Sequence, residues 1–458
     1  MLSVCMIVKN EASLLERCLE SVREAADQIV VVDTGSTDAT KEIARRFNAV
    51  IVESEWRDDF SFARNISLEH ATGTWILWLD ADDVVPAASL PLLRELKQRP
   101  PDCVYNFIIR NERPGDTGTE FTQARMFPNR PELRFERRIH EQIMPSALRI
   151  GLPLRECTVV VEHHGYADPE ALKRKAERNV RMLLEEYPLV APDAVMAVEI
   201  ADSCQLIGDD EKARQWYQAV LDIHGPAAAT PILAGHAHHG LGTICSRRER
   251  YSEAIDHFNR ALRFSPSRPD ILFGLAVAQE LTGDYRAAVD SLGRIPRLKH
   301  QAGQVGVDFR LSTIKAFLRM VRLLCEQGCF DEARHRVQEA IATVGHRPEI
   351  HTLAGKFYLK TNALIEALHA FEKSLQLRRE GNIEAYIGLC LIYRHARRNE
   401  KVAETLDAIR PFFIENERYR TFRRAMLGSD EFSGPPVLSD ERYQEELKKL
   451  QRDFFGMV

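Results

Sequence analysis

The sequence has no apolar run that approaches the ~18 residues a helix needs to cross a bilayer, and MLSVCMIVKNE turns charged at Lys9, too early for a signal peptide. Charge of one sign is also missing: 62 Lys+Arg against 67 Asp+Glu leave a net charge of −5. That balance argues against a nucleic-acid partner held mainly by phosphate contacts. The nine cysteines lack paired spacing; Cys325 and Cys329 stand four apart with no CxxC and no His at zinc-ligand spacing. Reduced thiols and a cytoplasmic location are expected. Two nucleotide-binding signatures are absent as well, the GxGxxG fingerprint and the GKS/GKT phosphate loop. At 45% hydrophobic content the chain nevertheless has enough apolar residues for two or three domains with real cores.

From Met1 to about Tyr166, short apolar runs (SVCMIV, QIVVVD, AVIVES, WILWLD) alternate with amphipathic stretches of helical length. Strands separated by helices indicate βαβ units and a mostly parallel sheet of the nucleotide-binding α/β class. VYNFIIR follows, then a Pro/Gly/Arg-rich stretch up to Pro145, and TVVVEHHGY reads as a last strand. Beyond Asp168 helical periodicity takes over. Leu241, Gly242, Tyr251, Ala254, Phe258, Ala261 and Pro266 occupy the spacing of a tetratricopeptide repeat, and its key small residue recurs at Ala213, Ala254, Ala288, Ala333, Ala367 and Ala403. The expected layout is an α/β domain over 1–168, an all-α solenoid of repeats over 169–428 and a tail over 429–458. The tail from Glu445 to Phe455 is a candidate capping or docking helix, and the solenoid ends and the Tyr443 to Phe455 tail are candidate contacts of a homodimer.

Chemistry concentrates after the strands, where open parallel sheets bind ligands. QIVVVD ends in Asp33, followed by TGSTD, in which Gly35 permits a tight turn and Ser36, Thr37 or Asp38 can cap the next helix. Asp33 would repel a phosphate but suits a hydrogen-bond donor such as the N3–H of uracil or a ribose hydroxyl; a plain turn and cap explains the same residues. WILWLDADD then crowds Asp80, Asp82 and Asp83 at a strand tip with no Lys or Arg in the next ten residues. Asp80 and Asp82, two apart on extended chain, would point to one side and form a hard oxygen site for Mn²⁺ or Mg²⁺ that leaves room for a pyrophosphate.

Together SVCMIVKNE, VVDTGSTD, WRDDFSFARN, ATGTWILWLDADD, RIHEQI and HHGY resemble the family 2 glycosyltransferases of GT-A fold, in particular the subgroup fused to tetratricopeptide repeats that includes bacteriocin S-glycosyltransferases. The resemblance is dense over Met1 to Tyr166. It implies a UDP-sugar donor, a divalent metal at the DxD and inversion at the anomeric carbon. Carried over by position, the backbone around Met6 to Lys9, including Val8, and the Asp33 side chain would hold base and ribose, with Glu11 nearby. Arg64 would lie close to the diphosphate or the acidic cluster, supported by Asn65. Asp80 would face ribose and metal, Asp82 would be the principal metal ligand, and His163 an additional one, although His164 follows where the family has Tyr.

Direct displacement needs a base for the acceptor. The E-D pair and the Q-x-x-R-W segment usual in the family are missing, which leaves Glu141 as the candidate, His140 as the alternative, and the opposing reading that Glu141 pairs with Arg134, Arg137 or Arg138. Asp58 and Asp59 are acceptor-side candidates or a helix cap. The expected activity is hexose transfer from a UDP-sugar to a peptide or protein, at a Ser/Thr hydroxyl or Cys thiol, with the acceptor in the groove of the repeats. Alternatives are a glycan or lipid-linked acceptor, or an inactive scaffold. A sugar-nucleotide pyrophosphorylase needs a Gly-rich, basic N-terminal loop, which KNEASLL is not.

Overall fold

In a computed structural model, residues 1–113, 117–164, 169–187, 193–224, 231–298 and 308–413 are described. The chain divides into two compact units, Met1–Ile271 with Lys299–Phe309, and Leu272–Leu298 with Arg310–Val458. The proposed tail, its docking segment and the boundary at 168 lie outside the described residues.

The first unit opens with β1 (Leu2–Val8), α1 (Leu15–Val22), β2 (Gln28–Asp33), α2 (Thr40–Arg46), β3 (Val50–Glu53), α3 (Phe60–Glu69) and β4 (Trp75–Trp78). There follow β5 (Asp83–Val84), α4 (Leu90–Leu96), β6 (Val104–Arg113), β7 (Thr117–Pro128), α5 (Met144–Arg149) and β8 (Leu154–His163). They build one eight-stranded sheet in the order β3-β2-β1-β4-β7-β6-β8-β5. β1, β2, β3 and β4 pair in parallel, as continuous apolar runs flanked by helices require. The sheet then becomes mixed, because β7 runs antiparallel to both β4 and β6. β7 occupies part of the stretch that reads from sequence as Pro/Gly/Arg-rich; among its described side chains Met126, Phe127 and Pro128 are apolar and buried. The core beneath β1 and β4 includes Leu2, Val4, Met6, Trp75, Leu77 and Leu79.

The unit continues with α6 (Pro169–Glu186), α7 (Ala194–Leu206), α8 (Asp210–His224), α9 (Pro231–Arg247), α10 (Tyr251–Phe264) and α11 (Pro269–Leu281), within which the second unit begins. That unit adds α12 (Tyr285–Arg294), α13 (Phe309–Glu326), α14 (Phe330–Val344), α15 (Pro348–Lys360), α16 (Leu364–Leu377), α17 (Ile383–His395) and α18 (Asn399–Phe413). The repeat spacing has a steric cause. A Cβ on Gly242 would stand 2.8 Å from the Phe258 ring, and one on Gly355 2.5 Å from Phe371, so the glycine of each first helix admits the aromatic ring of the second. Ala213, Ala254, Ala288, Ala333 and Ala367, each fourth in its helix, are fully buried. In α18 the pattern shifts: Ala403 is exposed, and Val402, the fourth residue, takes the buried place. All nine cysteines are unpaired.

Candidate active site

A cavity of about 830 Å³ opens beyond the carboxyl ends of β1, β2 and β4. Its first wall comes from two interlaced loops. Asp33 Oδ1 accepts bonds from the amides of Gly35 (3.0 Å) and Ser36 (2.9 Å), a turn that needs the left-handed φ of +104° at Gly35. Asn10 Oδ1 accepts from Thr37 N at 2.8 Å, and the Glu11 amide donates to Thr40 Oγ1 at 2.8 Å. Val8 lines the cavity, but its carbonyl is taken by the Thr34 amide at 3.0 Å. Asp33 is 1% exposed, and its Oδ2 has no hydrogen-bond partner among the described residues. A buried carboxylate oxygen without a donor is costly; Asp33 itself is not among the residues that line the cavity, whereas its neighbour Thr34 is.

The second wall explains the acidic tip. β4 stops at Trp78, so Asp80 and Asp82 lie in a turn, closed by the Asp83 amide donating to Asp80 O at 3.1 Å, and not on extended strand. Arginines distant in sequence relieve the repulsion. Arg64, 4% exposed on α3, reaches Asp80 Oδ1 at 2.7 Å and Glu141 Oε1 at 2.5 Å. Arg125, on β7, pairs with Asp83 Oδ2 at 2.8 Å. Both guanidinium carbons lie over the Trp78 ring, at 4.2 and 3.7 Å, and the ring is pinned by its Nε1–H donating to Ala124 O at 2.8 Å. The Trp that ends the apolar run therefore seats the two cations that neutralise the aspartates after it.

Asp83 is fully buried, and its Oδ2 accepts the Asp80 amide at 2.9 Å. The short β5–β8 pairing sets it opposite His163, whose Nδ1 is 3.0 Å from Asp83 Oδ1 and 3.4 Å from Asp82 Oδ1. Asp82, Asp83 and His163 thus make a compact group with ligand atoms within 4.8 Å of one another; Asp80 is not in it. His163 lines the cavity and His164 does not.

Electrostatics single out Asp82. Burial would raise the Asp80 carboxyl, but Arg64 and then Arg125 outweigh it and hold it at about 2. Asp82 is pushed upward by burial and by Asp80 and Asp83, against the opposing pull of His163. Glu11 is pushed up to about 6, by burial first and then by Asp82. Asp83 has both oxygens committed, whereas Asp82 and Glu11 retain charge that the fold leaves unbalanced. A carboxylate beside an imidazole, with no Lys or Arg paired to it among the described residues, suits a divalent cation that also takes phosphate oxygens.

The third wall is the loop between Glu136 and Gln142, closed by their reciprocal amide–carbonyl bonds at 3.0 Å. Arg137 (φ +76°) and His140 (φ +52°) both adopt left-handed backbone there. Glu141, expected to pair with Arg134, Arg137 or Arg138 if it is structural, pairs with Arg64 instead. Arg137 binds Asp193 and Glu199, and Arg138 approaches Glu185 at 3.7 Å. His140 is exposed at the cavity edge. Asn65 bridges this loop through Phe135 O at 3.0 Å and Phe135 N at 2.8 Å. Asp59 is the cap of α3, accepting from Phe62 N at 2.8 Å, and Asp58 binds Trp56 Nε1 at 2.8 Å and Arg181 at 3.2 Å. Sequence reasoning missed Arg125, because it missed β7, and it missed Lys175, Arg178 and Asn179 of α6 and Glu199 of α7, which line the cavity from helices placed beyond the α/β motifs. The i, i+3 spacing of Lys175 and Arg178 was the available signal.

Residues 3–152 match the family described as Glycosyl transferase family 2, and residues 193–267 and 247–305 match Tetratricopeptide repeat families. The chain is a family 2 glycosyltransferase domain of GT-A-like fold joined to tetratricopeptide repeats. Among curated relatives, it is 33% identical over 268 residues to a TPR repeat-containing protein of Synechococcus elongatus, covering 57% of this chain and 66% of that one. It is 30% identical over 217 residues to the SPbeta prophage-derived glycosyltransferase SunS of Bacillus subtilis, covering 45% of this chain and 50% of the other. The matches thus span about half to just under two thirds of these relatives. Among solved structures, it aligns with YrrB, described as a TPR protein with an unusual peptide-binding site, at 19% identity, 48% of this chain, 99% of that chain and TM-score 0.34.

Proposed function

We propose that the protein is a metal-dependent, inverting glycosyltransferase that moves a hexose from a UDP-sugar to a peptide or protein. The observation that carries this reading is the cavity at the strand ends in which Asp82, beside His163, keeps unbalanced negative charge while its neighbours Asp80 and Asp83 are tied to arginines. Asp82 and His163 would hold Mn²⁺ or Mg²⁺, and Asp80, fixed by Arg64, faces the same space as a ribose or metal contact. When bound, the cation supplies charge neutralisation for the departing nucleoside diphosphate. Asp33 offers its unpartnered Oδ2 to a base N–H or ribose hydroxyl, with the Val8 backbone and Glu11 beside it.

Glu141 serves as the acceptor-side base in this reading. Its bond to Arg64 uses Oε1, and Oε2 makes no hydrogen bond among the described residues, so one oxygen remains to take the proton of an attacking hydroxyl or thiol. His140, next to it on the same loop, is the alternative base. The repeats favour a polypeptide acceptor, and the second unit has a cavity of about 300 Å³ with Lys315, Arg319, Glu349 and Thr352 in its lining that suits part of an extended chain. We assign 1–168 to the transferase domain, 169–428 to the repeats and 429–458 to a tail. Nine unpaired thiols support a cytoplasmic location, and no helix among the described residues is long and apolar enough to cross a membrane.

The test is incubation with UDP-glucose, UDP-N-acetylglucosamine and a wider nucleotide-sugar panel with Mn²⁺, following nucleoside diphosphate release and the intact mass of co-expressed peptide acceptors. Turnover lost in Asp82→Ala supports the reading; no turnover or binding across the panel by the parent protein refutes it. Transfer to a glycan or lipid-linked saccharide but to no polypeptide would keep the chemistry and discard the acceptor.

A further inference from the structure

The cations around the cavity fall into two sets. Arg64 and Arg125 are consumed by carboxylates of their own wall: Arg64 by Asp80 and Glu141, Arg125 by Asp83. Lys9, just after β1, and Lys175 and Arg178, one turn apart on α6, also line the cavity, and none of the three forms an ion pair among the described residues; Lys175 and Arg178 are the two that one helix presents together. Arg178 donates only from Nη2, to its neighbour Asn179 at 3.2 Å, and its buried Nε has no partner. The guanidinium lies 5.1 Å from the centre of the Phe60 ring, which orients it without satisfying its N–H groups. Lys175 is close enough to Glu11 and Asp82 to oppose the upward push on both carboxyls, but contacts neither.

Accepting the donor-site reading above, a divalent cation at Asp82 would offset the negative charge of Asp82 and Glu11, and Lys175 and Arg178 would still lack a carboxylate partner among the described residues. An anion that meets both the cation and these side chains would complete the site. A diphosphate is such an anion, with oxygens for a metal on one side and for N–H donors on the other.

We propose that Lys175 and Arg178 of α6 are the diphosphate-binding cations of this enzyme, gripping the donor's phosphates from the side opposite Asp82 and stabilising the leaving nucleoside diphosphate. The first helix after the α/β domain is then part of the donor site and not only a spacer before the repeats. No group is oxidised or reduced: the acceptor oxygen or sulfur bonds to C1 as its proton passes to Glu141, the C1–O bond to phosphate breaks, the electron pair stays on the phosphate oxygen, and the two cations offset the charge that develops there.

Titration calorimetry on the full chain with Mn²⁺ tests this. The probes are the tightest of UDP, GDP, ADP and CDP and its parent nucleoside, the latter measured by competition. Lys175→Met and Arg178→Gln are each expected to weaken the diphosphate roughly tenfold, as loss of one charged hydrogen bond should, and to leave the nucleoside unchanged. Lys175→Arg should restore most of the loss. Unchanged diphosphate affinity in both variants overturns the inference while leaving the donor site standing, and so does an equal loss for nucleoside and diphosphate, which would mean that α6 only shapes the cavity. If the parent protein binds none of the four diphosphates, the donor-site reading falls, and this inference with it.

Discussion

Replacing Arg64 with Ala removes the one cation shared by Asp80 and Glu141, and leaves two carboxylates facing each other around a cavity beside the Trp78 ring. Holding Asp80 at about 2 instead of its ordinary 3.8 corresponds to at most ~2.5 kcal/mol at 1.36 kcal/mol per unit. The Asp80 side chain keeps 34% exposure, so solvent reduces that figure to roughly 1–2 kcal/mol. Loss of the guanidinium–indole contact adds about 1 kcal/mol, and the desolvated Glu141, 11% exposed, adds more. A total of roughly 2–4 kcal/mol is expected at pH 7, read as a lower urea midpoint of the first unfolding transition. The sign with pH follows from Asp80. Its folded value lies below its unfolded one, so the stabilisation is complete above about 4 and disappears as pH falls towards 2. The gap between parent and variant should therefore narrow across that interval, and Asp80→Asn in the Arg64→Ala background should recover about 1 kcal/mol or more. A gap that stays constant from pH 7 to pH 3, or a double variant no better than the single one, would refute the reasoning.

Asp82→Asn is expected to remove the Mn²⁺-dependent part of UDP affinity while leaving unfolding within about 1 kcal/mol, since the side chain carries no structural ion pair to Lys or Arg; calorimetry with and without metal measures it. Asp33→Asn keeps the oxygen that accepts from Gly35 and Ser36 but can turn Oδ2 into a donor facing the ligand's own donor, and uridine affinity should fall roughly 10- to 100-fold at unchanged melting temperature. Glu199, half-buried on α7, is pushed up to about 8 by desolvation despite Arg137. The folded chain keeps a proton that the unfolded one loses near 4.5, so this residue's contribution is present at low pH and lost by about 8. Glu199→Gln should match the parent near pH 5 and exceed it by on the order of a few kcal/mol near pH 9; parallel stability curves would sink that account.

The elements legible in the sequence are those whose residues are buried on both faces or repeat with a helical period. β1, β2 and β4 are continuous apolar runs because helices cover both sides of the sheet, and Ala254, Phe258 and Gly242 announce a helical hairpin because only that set fits its contact. β7 escaped because polar, half-exposed side chains such as Thr119, Glu120, Thr122 and Gln123 leave its first part without a strand's usual apolar signature. Asp33 and Asp82 could be singled out by position after a strand. The division of labour among Asp80, Asp82 and Asp83 could not: it depends on Arg64 and Arg125, 16 and 42 residues away in the chain. Ala403 was misleading for a local reason, since Val402 one residue earlier occupies the buried point of α18 and the alanine falls on the solvent face.

The loop that carries Glu141 is braced from outside the α/β motifs: Arg137 is tied to Asp193 and Glu199, and the Arg138 amide donates to both oxygens of Glu186 at 3.2 Å. Those acidic anchors belong to α6, α7 and the residue capping α7. Cutting the gene after the transferase motifs would thus free the loop at its most contorted point. Whoever grafts this sheet onto a different array of repeats must carry the first helical hairpin along with it, as a fixed adaptor between the two.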